Sequence, residues 1–185
     1  MNRAKQPRLN GKRIYLREYK LSDAKENAQV WNDKEIARWI TDIEYPTFPS
    51  LHRKWIKINK KRNDAYYYAI ILKETNRIMG CVWFHDIYER TNYQIADIGY
   101  LIGREFRGKG YATEAAKLII KWGFRKLNFL KITAKINVFD KASIKVIKKL
   151  GFKLEGKTRK QTMMKFPKKW CDELNYGLLK REWKR

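Results

Sequence analysis

The sequence contains only two cysteines, Cys81 and Cys171, in 185 residues. They lie far apart, with no CxxC spacing and no paired histidines. That argues against a disulfide framework or a metal centre and fits a reducing compartment. Long apolar runs are missing too: the longest, AYYYAIIL, is far too short to span a bilayer. The basic start MNRAKQPRLNGKR leads into no apolar segment, so it does not read as a signal peptide. These absences predict a soluble, cytoplasmic chain without membrane contact. No repeat, low-complexity tract or linker interrupts it, so residues 1–185 are expected to form one domain.

Negative charge is scarce as well. Lys and Arg number 43 against 19 Asp and Glu, a formal net charge of +24. The excess is concentrated in residues 90–185, which hold 25 basic residues against 8 acidic ones. Such a field draws anions (nucleic acid, acidic protein, phosphorylated cofactor) and repels polyamines. Hydrophobic residues at 44% and aromatics at 14% are enough for a real core.

The elements follow from periodicity. KRIYLREY (12–19) alternates Ile14 and Leu16 with charged neighbours, as a half-buried strand does. Ser22 is a candidate N-cap for a helix through Trp31, and Ser50 for another to about Arg62. TDIEYPTFPS between them reads as a loop. AYYYAIILKE, RIMGCVWFHDI and YQIADIGYLIG read as three consecutive antiparallel strands, separated by turns at TN and ERTN. TEAAKLIIKWGFRK places Ala115, Leu118, Ile119 and Trp122 on one helical face. KITAKINV is a strand, Asp140 caps a helix over KASIKVIKKL, and Gly151 ends it. GFKLEGKTRK and CDELNYGLLKREW form a final strand pair. The series predicts an α/β fold, with a mixed, mostly antiparallel twisted sheet flanked by about four helices. Cys81 reads as core, and its neighbour Gly80 as a bulge.

GREFRGKGY, Gly103 to Tyr111, nearly matches a nucleotide-binding P-loop, since Gly103, Gly108 and Lys109 are in register. Gly110, however, occupies the place of the magnesium-holding hydroxyl, and no Walker B aspartate follows a hydrophobic run. What remains is a tight turn that exposes amides at a helix start. Those amides and the helix dipole make a site for a pyrophosphate.

GREFRGKGYATEA followed by NVFDKASIKVIKKLGFKLEG resembles the GCN5-related N-acetyltransferase (GNAT) superfamily. With ELNYGLLKREW added, it is most similar to the acetyltransferases of ribosomal-protein N-termini. The likeness spans almost the whole chain and places a cofactor-binding core at about 93–157. It implies acetyl-CoA, with no metal. The pyrophosphate would lie on the amides of Arg107, Gly108, Lys109, Gly110, Tyr111 and Ala112, and the pantetheine beside Tyr100, Leu101 and Ile102. Asn137 would hydrogen-bond the pantetheine or the acceptor, and Ser143 would lie near the thioester sulfur. Two positions depart from the family pattern. Glu105 stands where Gln or Arg is usual. Ile147 stands where many members have a proton-donating tyrosine, so Ser143 or a water must serve.

An amine attacks a thioester only when neutral. At pH 7 deprotonation costs roughly 1 kcal/mol for an α-amino group and about 4.6 kcal/mol for a lysine side chain. Asp97, a carboxylate alone in the apolar strand QIADIGY, is the candidate base, and an ion pair with an arginine is the competing reading. Lys145 recurs with Lys141 and Lys149 along one helix stripe and is a candidate partner for the 3′-phosphate of coenzyme A. His85 stays outside the catalytic set. Trp39, Phe48 and Trp55 hint at an acceptor-side wall.

The expected activity is acetyl transfer to a primary amine, foremost the N-terminal α-amine of a protein such as a ribosomal protein. A small amine (amino sugar, aminoglycoside or polyamine) is the alternative. A non-catalytic RNA-binding module is the distant one, with nucleic-acid contact only through surface charge. The chain is expected to act as a monomer or homodimer.

Overall fold

The computed structural model describes residues 4–40, 44–90 and 93–183. Among these residues eight strands form one sheet: β1 (Leu9–Asn10), β2 (Ile14–Glu18), β3 (Tyr66–Leu72), β4 (Ile78–Arg90), β5 (Tyr93–Ile102), β6 (Phe129–Asn137), β7 (Lys153–Met164) and β8 (Lys169–Leu179). Their spatial order is β1-β2-β3-β4-β5-β6-β8-β7. Every pairing is antiparallel except β5 with β6. Among the described residues five α-helices accompany the sheet: α1 (Ala24–Trp31), α2 (Lys34–Trp39), α3 (Pro49–Lys61), α4 (Tyr111–Lys126) and α5 (Lys141–Lys149). None is long and apolar enough to cross a membrane.

Strand alternation divides the core into two layers. Ile14, Leu16, Tyr68, Ile70, Phe84, Ile98 and Ile132 meet Ala115, Ile119 and Trp122 of α4 and Ile147 of α5. Tyr15, Ala69, Ile71, Cys81 and Leu101 face the opposite way, toward Trp31, Ile36 and Ile56 of α1, α2 and α3. Each large apolar side chain buried in these layers contributes roughly 1.5–3 kcal/mol relative to exposure. Central β3, hydrophobic on consecutive residues, serves both layers at once.

The three-strand meander holds, and so do the cap at Asp140 and the end at Gly151. Asp140 Oδ1 accepts from Ser143 N at 2.9 Å, and Gly151 has φ +88°. The register of β3 on β4 slips between Ile70 and Ile71, opposite Gly80, which bears out the bulge. A Cβ on Gly80 would sit 2.2 Å from the Leu101 carbonyl oxygen, so glycine lets the bulged strand approach its neighbour. Cys81 is fully buried, and burial pushes its thiol up to about 12.

Three expectations are corrected. Ser22 is not a cap: a 3-10 turn (Leu21–Asp23) precedes α1, and Asp23 takes the Lys20 amide at 2.7 Å and the Arg17 guanidinium at 2.6 Å. Ser50 is not one either, because α3 begins at Pro49, whose fixed φ suits the first helical position. The short helix α2, capped by Asp33 on the Glu35 amide, went unpredicted. Of the loop TDIEYPTFPS, residues 41–43 lie outside the described residues, as do Thr91 and Asn92 of the ERTN turn.

Candidate active site

β5 and β6 are paired only from Gln94 to Asp97 on one side and Phe129 to Thr133 on the other. Beyond that rung β5 continues on β4 to Ile102 and β6 continues on β8 to Asn137, so the sheet opens along this seam. The open end leads to the glycine loop. There the chain makes a 3-10 turn (Arg104–Phe106) and then α4, with Gly108 at φ +76° and Gly110, the N-cap, at φ +81°. Both positive φ values belong to the region that side chains with a Cβ avoid. Among the described residues the amides of Gly108, Lys109, Gly110, Tyr111 and Ala112 find no acceptor. They stand at the positive end of a 16-residue helix, a cradle suited to a phosphate group.

Arg13, just before β2, fixes this loop, a contact that sequence patterns do not reveal. Its NH1 donates to the Lys109 carbonyl at 2.8 Å, and its Nε to Glu114 Oε2 at 2.9 Å. The Arg13 amide donates to Glu114 Oε1 at 2.8 Å, and the guanidinium lies over the Tyr111 ring. Glu105 points outward: 58% exposed, it meets Arg77 at 2.7 Å and keeps its charge off the cradle. Arg107 has protein partners. Its NH2 pairs with Asp33 at 2.5 Å, its Nε donates to the Ile102 carbonyl, and its amide donates to the Arg104 carbonyl. In this arrangement its charge is compensated by Asp33 and its N–H is directed at the preceding turn. Lys109 and Lys145 are exposed, the latter beside Lys141, Lys148 and Lys149 on α5.

Along the seam, alternation sends neighbouring residues to opposite faces. Tyr100 goes with the α5 side, where its hydroxyl donates to the Ser143 carbonyl at 3.2 Å, and burial raises its pKa. Ser143 is thereby tied at both ends of its peptide, to Asp140 and to Tyr100, with its side chain half-buried. Ile147 is fully buried in the same layer and has no proton to give. Leu101 turns the other way, so of the run Tyr100, Leu101, Ile102 only part can present side chains to any one face.

The face that carries Asp97 is polar. Asp97 is 5% exposed and lies on the last paired rung, opposite Thr133, whose hydroxyl bonds it. Two residues further along β6, Lys135 reaches back and places Nζ 2.6 Å from Asp97 Oδ2. The ion pair weighed for Asp97 is therefore present, with a lysine in place of an arginine. Across β4, His85 is the partner of Asp97, and a bulge sets Asp86 at φ +49° within 4.0 Å of the same ammonium. His85, Asp86 and Asp97 converge within 4.8 Å; Lys135 is the cation shared by the two carboxylates, and His85 Nδ1 lies 3.1 Å from Asp86 Oδ2. Asn137 Oδ1 accepts from the Phe139 amide at 3.0 Å, shaping the turn into α5. Opposite Asn137 on β8 stands Glu173, in the field of Lys135 and Asp97; its pKa is raised, burial being the main cause.

An aromatic series leads to this face: Trp31, Trp55, Tyr67, Trp83 and then His85, with successive ring centroids 5.0–6.5 Å apart. A Cβ on Gly99 would come within 2.3 Å of the Trp83 indole, which therefore lies flat over the strand. Trp55 thus joins a wall, whereas Phe48 is exposed and Trp39 sits under Arg38. The β7–β8 turn reaches across to α2, where the Lys165 amide donates to the Arg38 carbonyl and Phe166 meets Tyr45 edge-on at 5.9 Å.

The family model for the acetyltransferase (GNAT) domain matches residues 13–153, well over half of the chain. The chain belongs to the GNAT acetyltransferase family. It is an N-acetyltransferase, and acetyl-CoA is the family's acetyl donor. An uncharacterized N-acetyltransferase, p20, of Bacillus licheniformis is 32% identical over 177 residues, covering 95% of this chain and 97% of that one. The spermidine N(1)-acetyltransferase of Escherichia coli K12 is 27% identical over 77% of this chain and 74% of its own length. Among solved structures, the ribosomal-protein-S5-alanine acetyltransferase of Vibrio fischeri superposes with a TM-score of 0.83 at 25% identity, over 97% of this chain and all of that one.

In this GNAT domain the loop, Asp97, Asn137 and Ser143, all singled out by the sequence, lie along the opened seam or at its end. Sequence reading missed Arg13, Lys135, Glu173 and the Trp83–Gly99 contact. A signal for Lys135 existed: in KITAKINV, Lys131, Thr133, Lys135 and Asn137 alternate with apolar residues, a polar face on a strand that the structure places inside the sheet.

Proposed function

We propose that this GNAT domain acetylates the N-terminal α-amine of a protein, with a ribosomal protein as the leading candidate. The observation that carries the choice is the Lys135–Asp97 pair. The most buried carboxylate at the seam already has its cation, so Asp97 offers no unpaired charge to a second ammonium of a polyamine. An α-amine, with a pKa of about 7.7–8.0, asks for far less help in losing its proton than an amine near 10.4. The aromatic series from Trp55 to His85 offers an apolar wall for the first residues of a peptide. Resemblance to a ribosomal-protein alanine acetyltransferase adds support.

In this reading acetyl-CoA lies with its pyrophosphate on the amides of Gly108 to Ala112 and its pantetheine along the opened edge of β5, near Tyr100 and Ile102. Asn137 hydrogen-bonds the pantetheine or the acceptor through its NH2 group. Ser143 lies near the thioester sulfur, and Lys145 meets the 3′-phosphate. Acetylation of a small amine is the second reading, favoured by the spermidine-acetyltransferase relative and by Asp86 at the rim.

The test is release of free thiol from acetyl-CoA with two acceptor pools: short peptides with free N-termini, and polyamines with amino sugars and aminoglycosides. Thiol release with peptides, with one acetyl mass shift at the α-amine, is the expected result. Release only with the small amines overturns the acceptor.

A further inference from the structure

Asp97, the sequence's candidate base, is bonded by Thr133 at one oxygen and paired with Lys135 at the other, so its charge is already compensated. Glu173 is placed differently. It lies on β8 opposite Asn137, at the end of β6 where the seam is open. Alternation on β8 sends Leu174, Tyr176 and Leu178 into the α4–α5 layer, and therefore turns Glu173 toward the face of Asp97 and Lys135. It is half-buried, and among the described residues no hydrogen bond or ion pair holds it. In a chain with 43 Lys and Arg, a half-buried carboxylate left without a salt bridge calls for an explanation.

We propose that Glu173 is the general base of the acetyl transfer. This assignment rests on the amine-acceptor reading above. The carboxylate takes one proton from the incoming ammonium. The neutral nitrogen then attacks the thioester carbonyl carbon, a C–N bond forms, and the C–S bond breaks. Coenzyme A leaves as thiolate and gains, through water, the second proton that the nitrogen sheds.

The charged groups facing Glu173 are Lys135 on β6 and Asp97 on β5, while β7 presents Thr158 opposite it. Lys135 favours the ionised carboxylate and Asp97 opposes it, but burial outweighs both and raises the pKa. The shift moves the group toward the range in which a base is effective near neutral pH. Lys135 is thus a positioning residue: paired to Asp97, it keeps the seam from accumulating three uncompensated carboxylates.

The experiment compares the wild type with Glu173→Gln and Glu173→Asp, using acetyl-CoA and a short peptide with a free N-terminus, with spermidine in parallel, over pH 6–9. Glu173→Gln is expected to lower kcat about 100-fold at pH 7 with KM for acetyl-CoA unchanged. Its rate should then climb about tenfold per pH unit toward the acceptor's own pKa. Glu173→Asp should keep the wild-type profile at reduced rate. A Glu173→Gln enzyme within twofold of an active wild type overturns the base, whichever acceptor is used.

Wild-type turnover of spermidine alone overturns the α-amine reading and leaves Glu173 to be judged on spermidine. If neither acceptor is acetylated, the ¹³C carboxyl resonance lost in Glu173→Gln decides. Titration above the ordinary glutamate range with a response to acetyl-CoA supports the assignment. An ordinary titration with no response overturns it.

Discussion

The ammonium of Lys135 lies 2.6 Å from the carboxylate of Asp97, two residues past the last rung that joins β5 to β6. The pair closes the root of the opened seam, with a carboxylate 5% exposed and an ammonium half exposed. Removing the two partners has unequal consequences. Lys135→Met leaves a buried charge held by Thr133 alone, at a cost of about 2 kcal/mol, below the range for fully buried pairs because Lys135 is partly solvated. Asp97→Asn frees a lysine that water can reach, and costs less. Urea unfolding of both variants and of the double mutant, in which much of the loss should return, measures the difference.

The same contrast applies to turnover. Asp97→Asn should lower kcat less than tenfold with acetyl-CoA affinity intact, since Asp97 orders Lys135 and takes no proton in the proposed step. A loss as large as that of Glu173→Gln would return the base to Asp97. Steady-state kinetics beside calorimetric titration of acetyl-CoA separates the two effects.

Arg13 ties the Lys109 carbonyl to Glu114, holding the turn whose amides face outward. Arg13→Ala should weaken acetyl-CoA binding about tenfold without a matching change in acceptor KM. Gly110→Ala strains a left-handed residue by roughly 1–2 kcal/mol and should weaken it further. Lys145→Ala should weaken coenzyme A more than dephospho-coenzyme A. Equal weakening of the two ligands removes Lys145 from the 3′-phosphate.

Gly99 has no room for a side chain under Trp83. Gly99→Ala must push the indole out of its stack with Tyr67, raising acceptor KM with little effect on acetyl-CoA. Trp83→Ala should mimic it. Near-UV circular dichroism reports the displaced tryptophan.

His52 gives the fold a pH dependence. Asn27 Oδ1 accepts from Tyr19 and Trp31, so its NH2 group must donate to His52 Nδ1, and Nε2 then carries the proton toward Thr47. A second proton would oppose the Asn27 donor, and burial lowers the pKa to about 4 from 6.5. The folded value lies below the unfolded one. The contribution is therefore complete above about pH 6.5 and is lost as pH falls toward 4, at most about 3 kcal/mol. Urea midpoints for the wild type and His52→Gln across pH 4–7 should converge at the acid end.

Where local rules suffice, the sequence determined the outcome. Alternation produced the meander, Asp140 and Gly151 bounded α5, and the spacing of Gly108 and Gly110 exposed the cradle amides, because turn geometry and helix ends depend on a few adjacent residues. The tertiary structure decided which charges are free. Asp97 and Glu173 are both acids in strands, and nothing within either strand tells them apart. Only the pairing of β6 with β5 and β8 gives Lys135 to Asp97 and leaves Glu173 beside the seam. Likewise Arg107 joins Asp33 and Arg13 joins the loop, 74 and 96 residues away in sequence. Coulomb energy depends on distance in space, and separation along the chain does not encode that distance.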